Sequence, residues 1–434
     1  MKLSLNLLTL QTWREDATRK RALERKRRAR NAAEEEMMEI SAQLKQRLLL
    51  LLHLTTMTTE RKWKEHLTLE GIWRRDRRIQ RVALVDPMSS PWTKLHESKN
   101  DQALVTVTGF DHASFESILF FFQPFFDNCT PWVGPQNGTR FKKIKKSENR
   151  GRRRLLDSRM CLGLVMAWCR FKGAEFILSG WFGFTGSHAN VWLRFGRRML
   201  LLALWKQPLA TVSLPSDETI NILKAKVQER HAALRDVHCV ADGCKMTFET
   251  CDGLTKQSMC HNGWKSGHYI SNPFAFSMDG RIIMLVVNAP GSVHDSTLAD
   301  WGDVHDKLET IYQRTGGVCV ADSAFSSVNA PYLLKSSGDI AAAKSPVEVR
   351  IIRQCASVRQ AAEWGIKAVQ SAFPRVKDTL QCEENGERKI HLMLMVLLYN
   401  MRLELVGLNQ IRNVFVPGWS RAILSKESFA SSTL

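Results

Sequence analysis

The spacing of apolar residues changes along this chain, and each change predicts a different element. Residues 14–47 mix Arg, Lys, Glu, Ala and Leu without Pro or Gly, which predicts a helix. A second basic helical stretch runs from Arg61 to Arg81, with Trp63 and Trp73 among arginines, and Pro87 to Asn100 reads as a linker. From Phe110 the chain turns strongly apolar through Phe120-Phe121-Phe122 and Phe125-Phe126, predicting a packed helix that ends near Asn128. Three further helices follow. Asp157 or Ser158 caps the first, residues 174–181 form a short second, and the third starts near Ser187. In the third, Ala189, Trp192, Leu193, Gly196, Met199 and Leu200 recur at spacings of three and four. Asn190, Arg194, Arg197 and Arg198 lie on the opposite face.

Beyond a predicted helix at 217–235 the period shortens. Cys239-Val240-Ala241-Asp242 ends one continuous apolar run, and Cys319-Val320-Ala321-Asp322 ends another 80 positions later. Such runs read as buried strands of a parallel pair, each with a carboxylate where the strand stops. Between them, Cys251–Lys265 reads as an irregular excursion. Residues 269–277 and 282–288 read as a hairpin around Asp279-Gly280, and after the tight turn Pro290 to Ser296 a helix follows to about Tyr312. That helix is the crossover a second parallel strand requires. Ser357 to Phe373 is a predicted helix carrying Glu363, with Ser357 and Gln360 as a capping box. His391 to Val406 reads as a core helix stopped by Gly407.

Charge adds a partner to this picture. The 434 residues carry a formal net charge of +19, with a pI near 9.7. The excess is concentrated in residues 1–100 and 141–154. A polyanion is the expected partner, with nucleic acid ahead of an acidic membrane. Lys142, Lys143, Lys145, Lys146, Arg152, Arg153 and Arg154 form a basic bridge in the format of a bipartite nuclear signal, and the same charge would hold phosphates. Arg25–Arg30 followed by Glu34–Glu36 reads either as a solvated helix with internal ion pairs or as a nuclear-import or phosphate-contacting arm. The helices at 158–200 have the division of a helix-turn-helix, with Asn190, Arg194, Arg197 and Arg198 as groove-facing side chains. An amphipathic helix with a solvated arginine face has the same pattern.

The ten cysteines contain no C-x-x-C. The loose cluster of Cys239, Cys244, Cys251, Cys260 and His261 therefore reads as buried or scattered thiols, reduced and intracellular. No apolar run reaches membrane-spanning length.

Three carboxylates carry the candidate chemistry. Asp242 and Asp322 would sit at neighbouring strand ends, and Glu363 would join them from a helix. Such a set suits Mg²⁺ or Mn²⁺, and two divalent ions can activate an oxygen nucleophile and stabilise a leaving oxygen in phosphodiester chemistry. Each residue also has a plain alternative. The aspartates could cap turns, and Glu363 lies four positions from both Arg359 and Lys367, in reach of a surface ion pair. A purely structural carboxylate cluster should contain a compensating cation. Asp295 is read as an N-cap in a supporting place, and His294 as packing or contacting DNA.

With these residues in hand, the chain resembles the PIF/Harbinger group of DDE transposases, related more distantly to IS5-type enzymes. The resemblance rests on four phrases in order: Val240-Ala241-Asp242-Gly243, Pro290-Gly291-Ser292-Val293-His294-Asp295-Ser296, Ala321-Asp322-Ser323-Ala324-Phe325, and Glu363-Trp364-Gly365-Ile366-Lys367 running on to Phe373-Pro374-Arg375. It covers roughly residues 155–410 and leaves out residues 1–100. The family's usual Phe after the glutamate is here Trp364.

The resemblance implies an α/β fold, an RNase H-like mixed sheet with flanking helices. The chain's own pattern precedes it with an all-α helix-turn-helix-like region and a basic helical N-terminal extension, the extension being a departure from the family. The expected organisation is 1–100 extension, 101–154 apolar helix and basic linker, 155–235 DNA-binding region, 236–410 catalytic domain and 411–434 tail. Asp242, Asp322 and Glu363 would bind two divalent ions, Mg²⁺ or Mn²⁺. The implied activity is cleavage at transposon ends and 3′-hydroxyl transfer into target DNA. Double-stranded DNA, a Myb-like accessory protein and a second copy in a homodimer or larger assembly are the implied partners, in the nucleus and away from membranes. The alternatives are a domesticated, catalytically silent nuclear DNA-binding protein and a nuclease without strand joining.

Overall fold

The structure is a computed structural model. It describes residues 2–76, 79, 81–133, 139–144, 154–250, 253–325, 330–335, 340, 343, 345–381 and 385–417. The chain divides into two compact units, Met1–Arg78 and Ile79–Leu434.

The first unit is one helix, α1 (Lys2–Asp76). At 1.5 Å per residue its 75 residues extend about 110 Å. Every side chain described in it is exposed, Leu48 to Leu52 and Trp63 included. The ion pairs Arg30–Glu34 (2.9 Å) and Arg61–Glu65 (3.2 Å) follow the i,i+4 spacing of a solvated helix.

The second unit begins at Ile79, and its first α-helix lies inside the segment expected to be a linker. A helix α2 (Pro91–Glu97) forms there, capped by Ser90 and started by Pro91. It exists because Trp92 is buried at 1% exposure, stacked on Phe182 at 5.2 Å. Burial of that one large side chain outweighs the loop-like composition of 87–100. Next come α3 (Asp101–Thr108) and α4 (His112–Asp127), the expected phenylalanine-rich helix.

Strands β1 (Cys129–Val133) and β2 (Thr139–Lys143) then form an antiparallel hairpin. Lys142 and Lys143 therefore belong to a strand rather than to a flexible bridge. Lys145, Lys146, Arg152 and Arg153 lie outside the described residues.

The three expected helices are α5 (Ser158–Arg170), α6 (Phe176–Phe182) and α7 (Gly186–Leu204). Asp157 caps the first, its carboxylate accepting from the Met160 N–H at 2.7 Å. Helix α5 is buried from Met160 to Cys169, so it is the central rod of a helical bundle.

After α8 (Asp217–Arg230) the sheet begins with β3 (Val237–Thr247). It is followed by α9 (Leu254–Cys260), β4 (His261–Asn262), β5 (Gly267–Ser277), β6 (Ile282–Leu285) and β7 (Ala289–Pro290). Helices α10 (Asp295–Trp301) and α11 (Val304–Thr315) form the crossover to β8 (Val318–Ala321) and β9 (Leu333–Lys335). The expected single crossover helix is broken at Gly302 and Asp303, the latter at a φ of +51°.

The seven strands run in the order β4-β5-β3-β8-β9, with β6 and β7 also paired to β5. β3 is antiparallel to β5 and parallel to β8, which makes the sheet mixed. The hairpin between β5 and β6 turns where expected, with Gly280 at a φ of +94°. Helices α12 (Pro346–Ala372), α13 (Asn385–Leu405) and α14 (Gln410–Phe415) complete the unit. The helix carrying Glu363 starts eleven residues earlier than expected. Ser345, not Ser357, caps it, accepting from the Glu348 N–H.

The two faces of the sheet bury different sets. Cys239, Ala241, Ala275, Cys319 and Ala321 pack with Ala299, Val304 and Leu308 of α10 and α11. Val240, Cys244, Phe274, Phe276 and Val320 join the larger core with Val358, Ala362 and Val369 of α12. Residues alternate between faces along a strand, so sequence parity assigns each side chain to one helical layer or the other.

Candidate active site

β3 and β8 pair in register, with Cys239 opposite Cys319, Val240 opposite Val320 and Ala241 opposite Ala321. The repeated four-residue phrase is thus a spatial repeat across one parallel pair. Asp242 and Asp322 are the next residues on each chain, and the even-numbered positions face α12. β8 ends at Ala321, as expected. β3 does not end at Asp242. It continues to Thr247 because β5 stays paired with it, Asp242 opposite Phe274 and Thr247 opposite Tyr269.

Helix α12 brings Glu363 to this face. It lies close to the sheet because Gly365 meets the ring of Phe276, which a Cβ would approach to 2.7 Å. Trp364 is half-buried against the core, and Glu363 itself is exposed.

Asp242 is mostly buried, and its Oδ1 accepts from the Gly243 N–H at 2.8 Å. Burial raises its carboxyl above the usual range. The Gly243 hydrogen bond and Arg359 oppose that shift, while the charges of Asp322 and Glu363 add to it. The two other acids are therefore close enough to act on Asp242 electrostatically. The three do not all have oxygens within 4.8 Å of one another, the spacing that His96, His112 and Glu116 show elsewhere in the unit.

A cation stands among them. Arg359, one turn before Glu363, donates from Nη2 to Glu363 Oε1 at 2.7 Å and from Nη1 to Asp242 Oδ2 at 3.4 Å. The i,i+4 pair was legible in the sequence; the reach to Asp242 was not, because it depends on how α12 lies on β3.

Asp295 is placed differently from its expected role, and His294 beside it is exposed. His294 is the N-cap of α10 but makes no side-chain cap bond; its Nδ1 lies 3.0 Å from Ser296 Oγ. Asp295 is the first helical residue rather than the cap. It lies over Gly243 and 3.8 Å from Lys245 Nζ, and both of these have the parity of the α10 face. It therefore supports β3 from the side opposite Asp242. Lys245 carried no signal in the sequence.

Residues 241–400 match the family described as DDE superfamily endonuclease. Over this stretch the chain is similar to the DDE endonucleases. The match begins one residue before Asp242 and spans Asp322 and Glu363. It supports a DDE transposase superfamily assignment for this part of the chain, and with it a metal-dependent nuclease or transposase that binds DNA. No curated protein and no solved structure matches the chain.

The DDE-like segment packs against the helices expected to bind DNA, and that packing takes up several of their basic side chains. Arg197 is buried at 7% exposure, its Nη2 2.9 Å from Glu387 Oε2 on α13, with its guanidinium over Trp168. Arg198 pairs with the same carboxylate. Both were expected on a groove-facing surface; the docking of α13 against α7 buries Arg197 and leaves Arg198 half-buried on the same carboxylate. Asn190 is exposed and Arg194 half-buried, nearer the start of α7. Arg154 donates to the carbonyls of Phe126 and Cys129, each at 2.6 Å, and so closes the end of α4. Lys142 and Lys143 are exposed on β2, a strand that packs beside α7.

The eight described cysteines are free and buried, with no zinc cluster among them. Among the described residues no helix is long and apolar enough to cross a membrane.

Proposed function

We propose that this protein is a nuclear transposase of the PIF/Harbinger type, with an RNase H-like catalytic unit that cleaves transposon ends and joins them to target DNA. The observation that carries the reading is the parallel register of β3 and β8, which sets Asp242 beside Asp322 on the face that α12 covers with Glu363. The match of residues 241–400 to DDE endonucleases supports it.

The donor set fits hard divalent cations. It is all carboxylate, partly buried, and crowded enough that burial and like charge raise Asp242. Asp242, Asp322 and Glu363 would hold two Mg²⁺ or Mn²⁺ ions. When bound, the ions supply positive charge to the phosphate oxygens and acidify water. The strand pair fixes the two aspartates, while Glu363 reaches in from an exposed helix position. Arg359 balances Asp242 and Glu363 in the metal-free state, and its guanidinium can donate to a phosphate oxygen at the same place. Hydrolysis at the element's end frees a 3′-hydroxyl, which then attacks a target phosphodiester, losing its proton as the target strand's own 3′-oxygen leaves and takes one up. Asn190, Arg194, Lys142 and Lys143 are the described candidates for DNA contact. A homodimer or larger assembly and a Myb-like accessory protein complete the reading.

Arg359 also favours a second reading. It is the compensating cation that a purely structural carboxylate cluster requires, as in a catalytically silent DNA-binding protein of transposase descent.

One experiment separates the two. The protein is incubated in Mg²⁺ or Mn²⁺ with labelled DNA carrying the source element's ends, beside Asp242→Ala, Asp322→Ala and Glu363→Ala. Cleavage and joined products lost in all three variants are expected. Cleavage without joining indicates a nuclease. DNA binding with no activity above the variants, also after adding an accessory protein, establishes the silent reading.

A further inference from the structure

A second group of metal-type ligands lies in the helical bundle, among residues that the DDE chemistry does not use. His96 is in the last turn of α2, and His112 and Glu116 stand one turn apart on α4. The i,i+4 spacing puts the last two on one helix face. One ligand atom from each of the three lies within 4.8 Å of the other two, the only such group among the described residues. His96 Nε2 is 3.1 Å from Glu116 Oε1, and the two imidazole rings are 5.3 Å apart.

The ligands are held in place. His96 is buried at 7% exposure against the rings of Trp92 and Phe115. Glu116 keeps its second oxygen 3.4 Å from Arg159, an outer contact of the kind that orients a ligating carboxylate. His112 and Glu116 are half-buried, which leaves one side open to solvent. The positive end of α4 would disfavour a cation, but Asp111 and Asp101 accept its first N–H groups and offset it.

We propose that His96, His112 and Glu116 bind a zinc ion that pins α2 onto α4. Two imidazoles and one carboxylate form a borderline donor set suited to Zn²⁺, unlike the all-oxygen set of the DDE triad. Three protein ligands leave a fourth position for water. The site stands apart from the proposed transposase chemistry.

The test uses the full chain, stripped with chelator, loaded with Zn²⁺ and desalted, with metal counted by mass spectrometry. His112→Ala and Glu116→Gln are compared with wild type and with Asp242→Asn, which controls for zinc held at the triad. Wild type is expected to retain one equivalent more than His112→Ala and Glu116→Gln, and Asp242→Asn one more than the Asp242→Asn/His112→Ala double variant. Zn²⁺ is also expected to raise the melting temperature of Asp242→Asn but not of the Asp242→Asn/His112→Ala double variant. Co²⁺ loading should give tetrahedral visible absorption only in proteins with the intact trio. Melting curves of the stripped variants close to stripped wild type show that the loss is of a ligand and not of the fold. Retention of the extra equivalent by either trio variant, or its absence from wild type, overturns the proposal.

Discussion

Arg359 joins two acids that lie far apart in the chain: its guanidinium holds Glu363 at 2.7 Å and reaches Asp242 at 3.4 Å. A guanidinium on these oxygens competes with any cation for them. Arg359→Gln should therefore tighten Mn²⁺ binding by about tenfold at low ionic strength, a modest share of the attraction between charges at this distance. The gain should shrink as salt rises. Calorimetric titration of both proteins measures it, and equal affinities would show that Arg359 does not occupy the cation site.

Asp242 makes the metal-free protein pH-sensitive. Its carboxyl is raised above the usual value of 3.8, chiefly by burial, so ionising it costs more in the folded chain than in the unfolded one. The folded state carries no penalty below 3.8 and the full penalty above the raised value. Asp242→Asn should consequently stabilise the stripped protein at neutral pH, and the gain should vanish below about 3.8. Urea unfolding at several pH values tests this; a variant less stable than wild type at pH 7 contradicts it.

The strands of the site were legible because burial and register leave a direct mark in sequence. Two copies of Cys-Val-Ala-Asp read as buried parallel strands, and Cys239, Val240 and Ala241 pair with Cys319, Val320 and Ala321. Asp-Gly read as a hairpin, and Gly280 adopts the positive φ that the turn needs. What sequence hid was set by tertiary contact. The helix at 91–97 forms because Trp92 has a cavity to fill, and composition alone reads that stretch as linker. Arg197 and Arg198 look like a solvated face until Glu387, 189 or 190 residues later, meets them. Amphipathic periodicity places a side chain on a helix face but does not reveal what covers that face.

Gly243 is required by a neighbour on the opposite side of the sheet from Asp242. A Cβ there would come within 2.6 Å of Asp295 Oδ2. Gly243→Ala should cost about 1–3 kcal/mol, as overpacking does. Asp295→Ala in the same chain should recover part of that loss, because it removes the atoms in collision. A double-mutant cycle by urea unfolding reads the coupling. Strict additivity would mean that the two side chains do not meet.

Glu387 is the single carboxylate shared by Arg197 and Arg198, and both it and Arg197 are only 9% exposed in their side chains. Glu387→Gln keeps the volume but leaves buried guanidinium charge without its counter-ion. Loss of one partner of a buried pair costs about 3–5 kcal/mol. A loss of that order in urea unfolding is expected, along with weaker packing of α13 on α7 seen as faster hydrogen exchange in both helices. A loss under about 1 kcal/mol would place the pair in a far more solvated setting than the structure gives it.

His238 supplies an acid limit to the fold that is independent of the carboxylates. It lies on β3 with no exposed surface, and burial lowers its pKa to about 4 from an ordinary 6.5; a backbone contact with Val318 acts against the shift and the Lys224 charge acts with it. The folded chain thus needs the neutral ring, whereas the unfolded chain takes up a proton below 6.5. Its contribution is complete above 6.5 and falls away as pH drops from 6.5 to about 4, by about 3 kcal/mol in total. His238→Leu removes the proton uptake at similar volume. Between pH 7 and pH 4.5 the variant should lose roughly 2–3 kcal/mol less stability than wild type, whatever its stability at pH 7. Parallel loss in the two proteins would show that His238 is protonated in the folded state, and therefore that β3 is not sealed at this end.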